Sequence, residues 1–437
     1  MPIPSSVHRD LVIGPWHKSM PTALWGRTVE RAVAGAPPLA DFATPLLTVD
    51  RRVLEANLAA MQRWTATRHL DLAPHGKTTM APALWARLFD HGATALTLAT
   101  PWQVQVARSF GVQNIMLANT LASAGGIDWI SAELDAHPSF EFSSWVDSRP
   151  AVRILRESLA ARGATRPLDV VVELGGPGGR TGARSIDQAL QVARDVAAAP
   201  ELRLVGTGGY EGALAHDRSP DGLAAVRGYL RAVADLHRRL HADGLYESAS
   251  VVVTAGGSAY FDLVADELGG LVDIDGARGI ATRVVLRSGA YPIHDDGFYR
   301  SISPLDGAAR GEPDHLESAM HGWVTIVSTP EPGLALFDAG KRDLPFDEGL
   351  PTAQAIRGRS DQDSALVLAD VRVSELNDQH GFLRFPAEVA DELAVGTVLR
   401  LGLSHPCTAF DKWRLIPLID DHTSSDPTVV DLIPTYF

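Results

Sequence analysis

HLDLAP at residues 69–74 is a short apolar run closed by a proline, and runs of this kind return seven more times. They read ALTLA at 95–99, NIMLA at 114–118, FEFSSWV at 140–146, LDVVVEL at 168–174, LRLVGTG at 202–208, ASVVVT at 249–254 and RVVLR at 283–287. Their Val, Ile and Leu content suits strands buried on both faces. Segments that fit helices lie between most of them, at 80–91, 148–162, 185–199 and 221–243. Eight strands alternating with helices predict an α/β chain built on a (β/α)8 barrel of the TIM type. An open doubly wound sheet is the competing arrangement. It requires a glycine-rich turn after its first strand, and APHGKT at 73–78 matches that poorly.

Outward from the barrel the texture changes. Thr44–Val49 reads as a strand, and Asp50 caps a helix with Leu54, Leu58 and Met61 on one face. Beyond about residue 296 short β-like runs dominate: 322–328, 334–338, 366–373, 397–403 and 413–419. The expected division is an N-terminal arm over 1–43, packing on the β domain, a barrel over 44–295 and an all-β domain over 296–437. The 437 residues carry 39 Lys and Arg against 53 Asp and Glu, a formal charge of −14, and no long basic run. Nucleic acid is therefore a disfavoured partner. The single cysteine, Cys407, excludes an intrachain disulfide framework. No apolar run reaches about 18 residues and the first residues lack an apolar signal core, so a cytoplasmic protein without a membrane partner is expected.

In such barrels the active site lies at the C-terminal ends of the strands. The first strand ends in Pro74-His75-Gly76-Lys77-Thr78. A lysine at a strand end, partly desolvated, is a candidate imine former; otherwise it is a solvated loop residue. The fifth strand runs into a glycine-rich loop, 175–179, followed by Arg180, a fixed cation for the barrel mouth. The sixth ends in Gly208-Gly209-Tyr210-Glu211-Gly212, where Tyr210 is placed to stack on a ring. The seventh ends in Gly256-Gly257-Ser258 at the start of a helix, a backbone N–H cradle for phosphate. The eighth ends near Tyr291. In the β region, His405 and Cys407 flank Pro406 in a strand-like stretch, where alternation would put both on one face. Imidazole and thiolate suit zinc. A buried thiol and a hydrogen-bonded core histidine are the plain alternative. His380 is a further polar contributor or a turn residue.

Taken together these motifs resemble the D-serine dehydratase / D-threonine aldolase family, pyridoxal-phosphate enzymes with an alanine-racemase-like barrel and a β domain. The resemblance spans about Thr44 to Trp413. PHGKT (74–78) is similar to the family's lysine motif, which makes Lys77 the cofactor-bearing residue, with His75 beside it. GGRTG (178–182) and GGYEG (208–212) place Arg180 and Tyr210 at the cofactor ring. TAGGSA (254–259) resembles the phosphate segment, and Tyr291 is included among the cofactor-binding positions. QHG (379–381) matches a landmark of the β domain. HPCTAFDKW (405–413) is similar to the zinc site of the dehydratases, whose ligands are a histidine and a cysteine. The aldolases tend to carry an aspartate at the second position and use another divalent ion.

The resemblance implies a homodimer that uses pyridoxal 5'-phosphate and Zn2+ to dehydrate a D-3-hydroxy amino acid such as D-serine or D-threonine. The alternatives are retro-aldol cleavage to glycine and an aldehyde, racemisation with Tyr291 or Tyr299 as second base, and a pyridoxal-phosphate carrier without turnover. The long glycine-rich loop 175–179 and KRDLPFDEGLP at 341–351, which reads as an insertion, depart from the family pattern.

Overall fold

A computed structural model describes residues 3, 4, 6–306 and 314–437. They divide into two compact units. One is built from Gln62–Lys77 and Leu88–Gly289, the other from Pro4–Met61, Thr78–Arg87 and Ala290–Phe437.

Strands are numbered in chain order. β1 (Leu46–Asp50) belongs to the second unit, and the next eight build the first. These are β2 (Asp71–Leu72), β3 (Leu96–Leu98), β4 (Asn114–Thr120), β5 (Glu141–Val146), β6 (Leu168–Glu173), β7 (Leu202–Gly208), β8 (Ser250–Ala255) and β9 (Ala281–Leu286). All their pairings are parallel, in the order β2-β9-β8-β7-β6-β5-β4-β3. The two ends meet: His75 bridges Thr97, and the Thr94 and Thr97 N–H groups donate to Leu72 O and Pro74 O at 2.8 and 2.9 Å. The eight runs therefore form a closed (β/α)8 barrel, as their spacing predicts.

Local chemistry explains the alternation. Val170 and Val172 are fully buried on one face of β6. Val171 packs on the other with Met116, Trp145, Ala118, Val205 and Val252. Val252 also packs with Ala73, Ala95 and Val285. Both strand faces thus bury apolar side chains, which removes any period-2 polarity from the sequence. Helix Ile186–Ala197 begins where Ser185 accepts the Gln188 N–H. It buries Ala189, Leu190, Val192, Ala193 and Val196. Helix Arg149–Arg162 ends at Gly163 with φ 70°. β7 needs its glycines, because a Cβ at Gly206 or Gly208 would lie 2.3 Å from a carbonyl oxygen of β8. Three buried threonines near the strand ends bond across to neighbours: Thr97 to Ala73 O, Thr207 to Val172 O and Thr254 to Val285 O.

The second unit is a sheet of β1 with β10 (Met320–Glu331), β11 (Leu334–Phe337), β12 (Thr352–Ile356), β13 (Arg372–Leu376), β14 (Gly381–Arg384), β15 (Val398–Gly402), β16 (Leu415–Ile419) and β17 (Val429–Pro434). β1 lies between β10, antiparallel, and β16, parallel. The N-terminal segment joins here as well: the Leu39 N–H donates to Pro427 O and the Val429 N–H to Pro37 O.

Two expectations need correction. The run 366–373 is not one strand, because Asp361–Leu368 is a helix and the strand begins at Arg372. Ser360 accepts the Asp363 N–H, and Asp361 and Asp363 favour a helix start. Leu366, which made the run look buried, is 78% exposed. The stretch at 405–407 is not a strand either, as Pro406–Phe410 is a short helix. Pro406 fits the first helical position and supplies the φ the helix needs. Among the described residues, no helix is long and apolar enough to cross a membrane.

Candidate active site and metal centre

In the barrel unit, β2 runs into a tight turn, Gly76–Thr78, that carries Lys77. A Cβ at Gly76 would lie 2.8 Å from the Leu96 side chain, so the turn can sit this close to β3 only with glycine there. The buried Nδ1 of His75 has no hydrogen-bond partner. Burial, then the charges of Lys77, Arg287 and Arg180, hold its pKa well below the usual value. Burial among Lys77, Arg287 and Arg180 therefore favours the neutral imidazole at His75.

Arg180 lies over the Tyr210 ring at 4.4 Å from its centroid, a cation–π pair. Glycines close on that ring: a Cβ at Gly257 would be 2.8 Å from it, and one at Gly212 would be 2.5 Å from the hydroxyl. The sequence motifs at 180, 210 and 257 thus meet, and Lys77 shares an electrostatic neighbourhood with Arg180 through His75. The Gly256 and Gly257 N–H groups, expected as an open cradle, donate to the Glu211 carboxylate at 3.0 and 2.6 Å. Ser258 is half-buried at the end of the same loop. Tyr291 lies in the second unit, 1% exposed, with its buried hydroxyl unpartnered.

Three charged residues of the barrel went unread in the sequence. Glu173, which ends β6, is 3% exposed. Its Oε1 accepts the Thr181 hydroxyl at 2.8 Å, while its buried Oε2 has no partner. Burial raises its pKa to about 7 against the opposing Thr181 bond. Arg287 donates to Thr254 Oγ1 and Gly209 O, both at 2.6 Å, and lies over the Trp145 ring. Glu211 is fully buried. A charged residue closing an apolar run, as in VVVE and VVLR, was the available signal.

In the second unit, His405 adopts φ 47°, the left-handed region. Its N–H donates to Asp295 Oδ2 at 3.0 Å. Its Nδ1 meets Asp347 Oδ2 at 2.5 Å, and Thr408 Oγ1 donates to Asp347 Oδ1 at 2.6 Å. The His405 side chain also hydrogen-bonds Cys407, so the turn into the helix brings the pair together without a strand. Burial disfavours charge on His405, but Cys407 and Asp347 outweigh it and raise the pKa to about 9. Cys407 Sγ lies 3.5 Å from Thr78 Oγ1, and Thr78 follows Lys77 in the chain. One donor atom each of Asp347, Glu348 and His405 fall within 4.8 Å of one another. The imidazole of His405 and the sulfur of Cys407, side by side, are donors that fit a divalent metal such as zinc. Asp347 comes from the segment read as an insertion, and only the fold places it here. His380 lies in the turn before β14, where its carbonyl accepts the Asn377 N–H at 2.8 Å. The neighbouring Gln379 donates to Asp343.

Residues 319–419 match a family model described as "Putative serine dehydratase domain". The chain is 26% identical over 391 residues to a D-threonine aldolase from Arthrobacter sp, covering 89% of this chain and 92% of that protein. It is 25% identical over 369 residues to a 3-hydroxy-D-aspartate aldolase from Paracoccus denitrificans, covering 84% and 85%. The D-threonine aldolase structure from Filomicrobium marinum superposes with TM-score 0.72 at 25% identity, over 91% of this chain and 96% of that one. Two structures of lower identity share the fold. D-threo-3-hydroxyaspartate dehydratase from Delftia sp. has TM-score 0.70 at 18% identity, over 92% and 99%. An alanine racemase from Clostridium difficile has TM-score 0.59 at 11% identity, over 90% and 99%. The motifs, the barrel with its β-rich second unit and these likenesses agree: the chain resembles the D-serine dehydratase / D-threonine aldolase family and has its alanine-racemase-like fold.

Proposed function

We propose that the protein is a pyridoxal-phosphate- and metal-dependent lyase of D-3-hydroxy amino acids that dehydrates its substrate to a 2-oxo acid and ammonia. The observation that carries the reading is the His405–Cys407 pair, with its sulfur 3.5 Å from the residue that follows Lys77. Lys77 would hold the cofactor and, once released, take the substrate's Cα proton. Arg180 and Tyr210, already stacked, would orient the cofactor ring, with neutral His75 beside it. Glu211 occupies the Gly256 and Gly257 N–H groups, so the phosphate would draw on Ser258 and the helix start that follows. His405 and Cys407 would hold zinc. Bound pyridoxal phosphate supplies an electron sink, and the metal a Lewis acid for the departing 3-hydroxyl. Water then converts the released enamine to the 2-oxo acid and ammonia. A homodimer and a cytoplasmic location complete this reading.

A second reading has its own support, since the whole-length curated relatives are named as aldolases. On the same residues, retro-aldol cleavage breaks Cα–Cβ after loss of the 3-hydroxyl proton. Product analysis after incubation with D-threonine, with and without a chelator, separates the two. 2-Oxobutanoate and ammonia, lost on chelation, are the expected outcome. Glycine and acetaldehyde would make the enzyme an aldolase. No product of either kind would move the search to D-serine and 3-hydroxyaspartate.

A further inference from the structure

Three bonds of the second unit hold Ser404 and its neighbour His405. Its backbone N–H is held by Asp295, its Nδ1 by Asp347, and Ser404 beside it donates to Gly349 O at 2.9 Å. A left-handed φ on a residue with a Cβ is strained and persists only where the surroundings impose it. Asp295 holds the backbone of His405, and the carboxylate on its ring, Asp347, comes from a loop with an anchored base. Asp343 is 2% exposed, its carbonyl accepts the Trp413 Nε1–H at 2.9 Å, and its carboxylate accepts from Lys18, Gln379 and the Gly340 N–H. Four residues on, Asp347 uses both oxygens, one on His405 and one on Thr408. An exposed His–Asp pair ordinarily adds little stability. Here the pair also fixes the ring orientation, with Nδ1 turned to Asp347.

We propose that Asp347 is a positioning residue for the metal centre: it keeps the proton on His405 Nδ1 and so presents Nε2 to the metal. The inference rests on the reading that His405 and Cys407 hold zinc. Histidine ligands as a class donate their second N–H to a carboxylate or carbonyl, and loss of that partner costs about 10–100-fold in metal affinity. Thr408 in turn fixes Asp347, which makes the segment 343–349 a support for the centre.

The test is zinc affinity of the full chain, measured by competition with a chromophoric chelator after metal removal and back-titration. Asp347→Ala should bind zinc about 10–100-fold more weakly, still at one ion per chain at saturation. Asp347→Asn, whose amide oxygen can still accept from Nδ1–H, should recover much of that loss. His405→Ala should lose the site. Wild-type affinity in Asp347→Ala would overturn the proposal. So would loss of the site as complete as in His405→Ala, which would make Asp347 a ligand. If His405→Ala keeps wild-type affinity, the underlying metal assignment is wrong, an outcome distinct from failure of Asp347 alone.

Discussion

The barrel mouth and the corner at 404–408 place chemistry by opposite means. In the barrel, parallel strands in register carry Lys77, Glu173, Tyr210 and Arg287 at or just beyond their ends. Their positions follow from counting to the end of each apolar run. At the corner, no regular element holds His405. A left-handed residue, a proline-started helix of five residues and carboxylates from positions 295 and 347 hold it. A regular scaffold tolerates exchange of its side chains, whereas an irregular corner depends on each bond that pins it. The two regions should therefore fail differently when altered.

Substitution of the lysine tests the barrel with the largest effect. Lys77→Ala should lower turnover by about 10³-fold or more and abolish the cofactor's imine absorbance, with the fold intact by circular dichroism. An unchanged imine spectrum would remove Lys77 from its role. At the corner, Cys407→Ala should weaken zinc binding by more than about 100-fold while the cofactor still binds, since loss of a direct ligand exceeds loss of a supporting contact. Retained metal would return Cys407 to the standing of a small half-buried side chain.

The smaller effect concerns stability. Burial raises the Glu173 pKa from 4.5 to about 7. A carboxyl whose folded pKa is raised binds its proton more tightly when folded, so stability is lost as pH climbs from about 4.5 to about 7. At about 1.4 kcal/mol per pH unit, the upper bound is on the order of 3 kcal/mol. Urea unfolding should therefore show wild type less stable at pH 8 than at pH 5, with this component absent from Glu173→Gln. Parallel profiles for the two proteins would show that Glu173 is ionised in the fold at pH 5 as it is at pH 8.

The contrast also explains what could be read in advance. All eight barrel strands and the helices at 149–162, 186–197 and 220–242 were legible, because β-branched runs and capped amphipathic segments are local signals. The β region was read less well. β12, β14 and β17 were missed, since TAQAI and GFLR are short and lack alternation, and their pairing depends on strands distant in sequence. Residues 1–43 carried no periodic signal, whereas the strand at 44–49 was legible, and β1 there sits between β10 and β16.

By itself the sequence determined the barrel, the order of its strand ends, and the candidate residues Lys77, Arg180, Tyr210, His405 and Cys407. Those depend on hydrophobic period and on residue chemistry, both carried by neighbours in the chain. Only the tertiary structure decided that Glu211 takes the Gly256 and Gly257 N–H groups. It alone decided that Glu173 lies buried with one oxygen unpartnered, and that Asp347 reaches His405. The reason is physical. A buried charge and a long-range hydrogen bond are set by what surrounds a residue in space, and no local pattern carries that information.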